Sequence, residues 1–135
     1  MSTGRQVLVA VYAVFALAAG ARAVVQLATR ADVAPVAYSL SLVAALVYLV
    51  ATLALRRTTL AAYRVALAAL AFELAGVLCV GTLTAVDDEL FADQTVWSGY
   101  GVGYGLVPLA LPVAGLWWLH RHAPGRSTAT AAAGR

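Results

Sequence analysis

The sequence predicts an all-α membrane protein, with four transmembrane helices in an antiparallel up-down bundle. Three observations carry that expectation. Of the 135 residues, 63% are hydrophobic and only 11% charged, against about 45–50% and about 25% in an ordinary soluble domain. Four segments run for about 20 or more mostly apolar residues, the length that a bilayer core about 30 Å thick demands. The turns joining the first three segments are short, which favours antiparallel neighbours. Too few polar residues are present to coat a water-soluble fold. A soluble globular enzyme, a disordered chain and a disulfide scaffold are thereby excluded. The single cysteine allows no intramolecular disulfide and no cysteine-based metal cluster. A closed β-barrel would need alternating segments of roughly ten residues, and these continuous runs are far longer.

The first span covers about residues 6–28 and the second about 36–55. The third covers about 60–83 and the fourth about 98–119. Spans one and three are rich in alanine and in leucine or valine, with no internal proline, and read as straight helices. Residues 1–122 form one transmembrane domain. From Ala123 onward, Pro124 and Gly125 followed by serine, threonine and alanine predict a disordered tail over 123–135. Arg5 ahead of an apolar run reaching Ala19-Gly20-Ala21 has the outline of a signal peptide. The run exceeds the usual apolar region of about 7–15 residues, so it reads as a span.

Arginine sets the expected orientation, since the chain has no lysine. Arg5 precedes span one, Arg56, Arg57 and Arg64 flank the second turn, and Arg121, Arg126 and Arg135 follow span four. Asp87, Asp88, Glu89 and Asp93 lie in the loop after span three, which has no basic residue. Basic loops stay cytoplasmic. Both termini are therefore expected inside a plasma membrane, and the acidic 84–97 loop outside. Tyr38, Trp97 and Tyr100 would anchor the outer interface, and Tyr63, Trp117 and Trp118 the inner one. The acidic loop lacks the spaced ligands and central glycine of a calcium loop and reads as a solvated turn or short capped helix. His120 and His122 read as an interfacial polar end, and Cys79 as a small buried residue.

Two ionisable residues of opposite sign fall well inside the spans, Arg22 and Glu73. Such residues are costly in lipid and invite a functional reading by default. Glu73 lies nine residues beyond Arg64, about 13–14 Å deep and near the midplane. Arg22 is about 22 Å from the inner face, and its side chain leans back toward the helix start. Tyr48 also lands near the midplane, and Gln26 shares a face with Arg22. Arg22, Gln26, Tyr48 and Glu73 are therefore expected to form one polar intramembrane cluster. A buried Arg–Glu pair would satisfy itself and fix helix register. A proton or substrate site at Glu73 is the alternative.

Span four opens on Gly99-Tyr100-Gly101-Val102-Gly103-Tyr104-Gly105, with Pro108 and Pro112 beyond. Gly99 with Gly103, and Gly101 with Gly105, make overlapping G-x-x-x-G pairs suited to close helix packing. Pro108 and Pro112 are expected to bend the helix. Val102 to Gly105 invites comparison with a potassium filter. A filter there would leave about 15 residues, roughly 22 Å, for the last span. Gly101 also stands where that signature has threonine.

The segments Arg22-Ala23-Val24-Val25-Gln26-Leu27, Phe72-Glu73-Leu74-Ala75-Gly76-Val77-Leu78 and Thr95-Val96-Trp97-Ser98 through Pro112 resemble those of small four-span integral membrane proteins of actinobacteria. The resemblance covers about residues 6–120 and implies an architecture without a mechanism. Small multidrug-resistance transporters are similar in size and use one intramembrane glutamate, but in their first helix and not their third. Vitamin-K-epoxide-reductase-like enzymes need paired cysteines, which are missing here.

No nucleophile–base pair, phosphate loop or cofactor motif is present. The leading expectation is a non-enzymatic scaffold or accessory subunit acting through helix contacts, with no cofactor and no metal. Its partners would be the lipid bilayer and either a second copy or another membrane protein, not nucleic acid. The alternative is a small transporter or channel-like dimer using Glu73 for proton or cation coupling.

Overall fold

The computed structural model of the chain describes residues 2–87, 93, 95 and 97–122, and it is helical throughout its regular elements. The α-helices are α1 (Thr3–Arg30), α2 (Pro35–Leu55), α3 (Leu60–Val86) and α4 (Val107–Arg121), with a 3₁₀ segment, Ser98–Tyr104, ahead of α4. Helices α1, α2 and α3 are each long and apolar enough to cross a membrane. Helix α4 is less clearly so. Its 15 residues cover about 22 Å, short of a hydrocarbon core of about 30 Å. The expected disordered tail over 123–135, and most of the acidic loop, lie outside the described residues.

Local chemistry sets the helix starts. The Ser2 hydroxyl accepts from the Arg5 N–H at 3.3 Å, and the Thr59 hydroxyl accepts from the Ala62 N–H at 3.1 Å. Each cap satisfies a donor that the first turn leaves unpaired. Pro35 opens α2, where a missing N–H removes no intrahelical bond. Buried positions then recur at steps of three and four. In α2 they include Tyr38, Ser41, Ala45, Tyr48, Thr52 and Leu55. In α3 they include Ala62, Ala66, Ala69, Glu73, Val77 and Val80. This spacing gathers one face of each helix toward the interior. Much of that face is alanine, whose small side chain lets backbones approach closely.

Cross-contacts fix the relative directions. Arg5 at the start of α1 meets Leu55 at the end of α2, while Gly20 lies against Ala45. Leu70 of α3 meets Gly115 of α4, whereas Gly81, later in α3, meets Tyr100 ahead of α4. Arg5 also ties three elements together at one end. Its guanidinium donates to the Leu55 carbonyl at 2.6 Å and the Arg57 carbonyl at 3.0 Å, and it lies 5.0 Å from the Trp118 ring centre. Carbonyls at a helix C-terminus lack intrahelical partners and favour a cation. Arg5→Ala should therefore lower stability by about 1–2 kcal/mol, read as a drop in thermal unfolding temperature in detergent.

Several expectations are corrected here. Span four is not one helix over 98–119. Gly99, Tyr100 and Gly101 have φ of 58°, 61° and 85°, and the α-helix begins only at Val107. Helix α4 has the very length that a filter over Val102–Gly105 would leave, so length does not distinguish the two arrangements. Pro108 falls in the first turn of α4 and breaks no helix, and only Pro112 is internal. Trp97, Tyr38 and Trp118 are buried within the protein and do not act as interfacial anchors. Trp117 is exposed, with the Arg121 guanidinium 4.9 Å from its ring centre. Cys79 is exposed on α3.

Candidate functional site

Glu73 lies on the inward stripe of α3, midway along that helix, and has no exposed surface. The Tyr12 hydroxyl donates to its Oε2 at 2.7 Å. Its Oε1 has no hydrogen-bond partner among the described residues. Tyr12 is itself fully buried on the stripe formed by Leu8, Tyr12, Ala19 and Ala23. Opposite the hydroxyl, Gly115 of α4 is so close that a Cβ there would lie 3.8 Å from the Tyr12 oxygen and collide with Leu70.

A second polar contact lies beside the first. The Tyr12 and Tyr48 rings are 6.1 Å apart, and Phe15 meets Tyr48 edge-on at 5.9 Å. The Tyr48 hydroxyl accepts from the Trp97 indole N–H at 2.9 Å. Trp97 can reach this depth because residue 76 is glycine. A Cβ there would stand 2.5–2.6 Å from the indole ring. Three helices and the segment ahead of α4 thus converge on one carboxyl lined by aromatic rings.

The four residues expected to cluster divide into two groups. Tyr48 and Glu73 come together, with Tyr12 between them. Arg22 does not reach Glu73, and the expected Arg22–Glu73 pair is absent. Arg22 is exposed and Gln26 half-buried, both far along α1. Arg22 lies ten residues, about 15 Å, beyond Tyr12 on the same helix, so α1 cannot bring both to one carboxyl. Arg22 and Arg30 instead lie within electrostatic reach of Tyr38, whose hydroxyl donates to Asp93 at 2.7 Å.

The glycines expected as a helix-packing face are used differently. Gly99, Gly101 and Gly105 have left-handed backbone angles, and Gly103 belongs to the same 3₁₀ segment. Gly101 is demanded twice over. Its φ is +85°, and a Cβ would stand 2.7 Å from the Pro108 ring. Its carbonyl accepts from the Leu106 N–H at 3.0 Å, which turns the chain into α4. Tyr100 and Leu106 also adopt positive φ without being glycine, a conformation that costs about 1–3 kcal/mol each and tends to mark functional segments. Close approach between elements falls to Gly4, Gly76, Gly81 and Gly115.

Tyr12 and Trp97 are the site residues that sequence reasoning missed. A signal for Tyr12 was available, because it is the only side chain with a hydrogen-bonding group between Gln6 and Arg22. Trp97 lacks such a signal, since its depth depends on the backbone turn that follows it.

Chemically, the site offers one carboxyl, two phenols and an indole N–H. No group of three or more histidine, cysteine or acidic residues is gathered among the described residues. No protein-family model matches the chain, and comparison with curated proteins and with solved structures finds no match.

Proposed function

We propose that the chain is a multi-pass plasma-membrane protein whose working centre is the Glu73 carboxyl, acting as a proton or cation site in a small transporter or channel-like assembly. A single observation supports this reading above all. Glu73 is fully enclosed and, among the described residues, receives one hydrogen bond, from a neutral phenol, and keeps one oxygen without a partner. A carboxyl held only to fix helix register would be expected to have a charged partner, and Arg22 lies elsewhere. Ionisable groups in membrane interiors commonly mark ion and proton pathways.

In this reading the helices form an antiparallel up-down bundle. Helix α4, with the segment ahead of it, makes a broken fourth span. Irregular backbone at membrane depth is tolerated where protein covers it, and residues 97–101 lean on α3. Both termini would be cytoplasmic and the acidic 84–97 loop external, following the arginine distribution. The kinship would be with small four-span actinobacterial membrane proteins, and no enzymatic step is assigned.

A second reading, a non-enzymatic accessory subunit, draws on a different observation. Large apolar side chains remain exposed along α1, among them Val14, Leu17, Val24 and Val25. Lipid or another membrane protein would cover them. Purification in mild detergent with identification of what is retained addresses that reading.

Proteoliposomes loaded with a pH-sensitive dye test the first reading. The wild-type protein should dissipate an imposed pH gradient faster than empty vesicles. Glu73→Gln keeps the side-chain shape and an acceptor for Tyr12. It should reduce the flux to the empty-vesicle rate with little change in thermal stability. Equal flux in both proteins, or none in the wild type, would contradict the proton reading.

A further inference from the structure

We infer that Trp97 is the plug that closes the route from the 84–97 side of the bundle to Glu73, so that access to the carboxyl requires this indole to leave its slot. The inference rests on the reading of Glu73 as the working site. Trp97 is 2% exposed and lies on Gly76, one turn of α3 beyond Glu73. The separation along the helix is three residues, about 4.5 Å. The indole therefore sits between the height of the carboxyl and the end of α3 that leads to the acidic loop.

The plug is held by separable latches. Its N–H donates to the Tyr48 hydroxyl at 2.9 Å. Two residues on, the Gly99 N–H donates to the Thr84 hydroxyl at 2.9 Å, and the Tyr100 hydroxyl lies 3.0 Å from that of Thr82. The Tyr100 ring lies directly over Gly81. These contacts are individually modest hydrogen bonds, so each can be removed by a single substitution. The chain between the plug and α4 has left-handed angles at Gly99, Tyr100, Gly101, Gly105 and Leu106. Glycines there can absorb the backbone rotation that a moving element needs.

A plug serves a different purpose from a packing residue. A buried indole N–H takes a partner in any role. The partner here is the tyrosine whose ring contacts Tyr12, the donor to Glu73, so the seating of Trp97 is tied to the carboxyl site. Release of the indole would remove the bond that the Tyr48 hydroxyl accepts from it and leave the slot over Gly76 vacant.

The test reads access and not transport, so its failure is distinguishable from that of the Glu73 reading. Cys79→Ser removes the exposed native thiol, and Glu73→Cys places a reporter at the carboxyl position. Vesicles with the 84–97 side outward, established by labelling Asp87→Cys, are treated with a membrane-impermeant cationic methanethiosulfonate. With Trp97 present, position 73 should react slowly. Trp97→Ala should raise the rate by at least about tenfold, a population shift of a sealed site toward an open one. Tyr48→Phe removes one latch oxygen and keeps the packing. It should raise the rate about fivefold, the worth of one modest hydrogen bond, and it supplies the answer should Trp97→Ala not fold. Unchanged rates in the folded variants would overturn the inference. So would acceleration by reagent from the opposite side only. Loss of proton flux in Glu73→Gln, measured separately, would stand in either case.

Discussion

Gly76→Val should be among the most damaging single changes in the chain. A Cβ at position 76 already stands 2.5–2.6 Å from the Trp97 ring, and valine adds two further carbons on a rigid χ1. To yield within its slot the indole must strain or break its N–H bond to Tyr48. Overpacking of this kind costs about 1–3 kcal/mol, and expelling the indole also breaks a buried hydrogen bond, worth about 1–3 kcal/mol when a partner is left unpaired. The expected loss is about 3 kcal/mol or more. Thermal unfolding in detergent should register it, together with increased reagent access to position 73. Gly76→Ala, with one carbon added, should fall between valine and the wild type.

Tyr12→Phe should have the next largest effect, although it removes a single atom. The ring stays packed against Tyr48, so no cavity of consequence opens. What disappears is the one hydrogen bond that Glu73 receives among the described residues, leaving a fully buried carboxyl with neither oxygen partnered by any of them. Stranding a buried polar group costs about 1–3 kcal/mol, and more for a charged one. Stability should fall by that amount. Combining the change with Glu73→Leu should restore most of it, because an apolar residue asks for no partner. In vesicles, Tyr12→Phe should also alter the pH dependence of flux, since it removes the hydroxyl bonded to Glu73.

How much of this was legible in advance varies from residue to residue. The first three helices were, because length and apolar content are properties of a single segment. Their ends fall within about three residues of expectation, as Gln6 against Thr3 and Leu83 against Val86 illustrate. The fourth span was misread for a physical reason. Gly99 to Gly105 counts toward apolar length, yet glycine has no commitment to the helix and readily enters the left-handed region that Gly99, Gly101 and Gly105 adopt. Glu73 was legible as a polar residue at mid-depth, and its place in the step of three and four with Ala66, Ala69, Val77 and Val80 explains its burial.

The choice of its partner was not legible. Charge complementarity pointed to Arg22, but a helix advances about 1.5 Å per residue, and ten residues separate Arg22 from the height at which α1 meets Glu73. A neutral phenol at the right height outranks an opposite charge at the wrong one. Trp97 shows the same limit more sharply. An aromatic residue beside an acidic loop suggests an interfacial anchor, and only the turn built from Gly99 and Gly101 carries it inward to Gly76.

The central claim is that Glu73 is a buried carboxyl coupled to Tyr12 and not to Arg22. A pair of double-mutant cycles on thermal stability tests it most directly, one combining Glu73→Leu with Tyr12→Phe and the other combining it with Arg22→Leu. Residues in contact show coupling of about 0.5–3 kcal/mol, whereas separated ones add within about 0.3–0.5 kcal/mol. The expected result is clear coupling in the Tyr12 cycle and additivity in the Arg22 cycle. Coupling of Arg22 to Glu73, with Tyr12 additive, would contradict the account and restore the charge pair as the element that holds these helices in register.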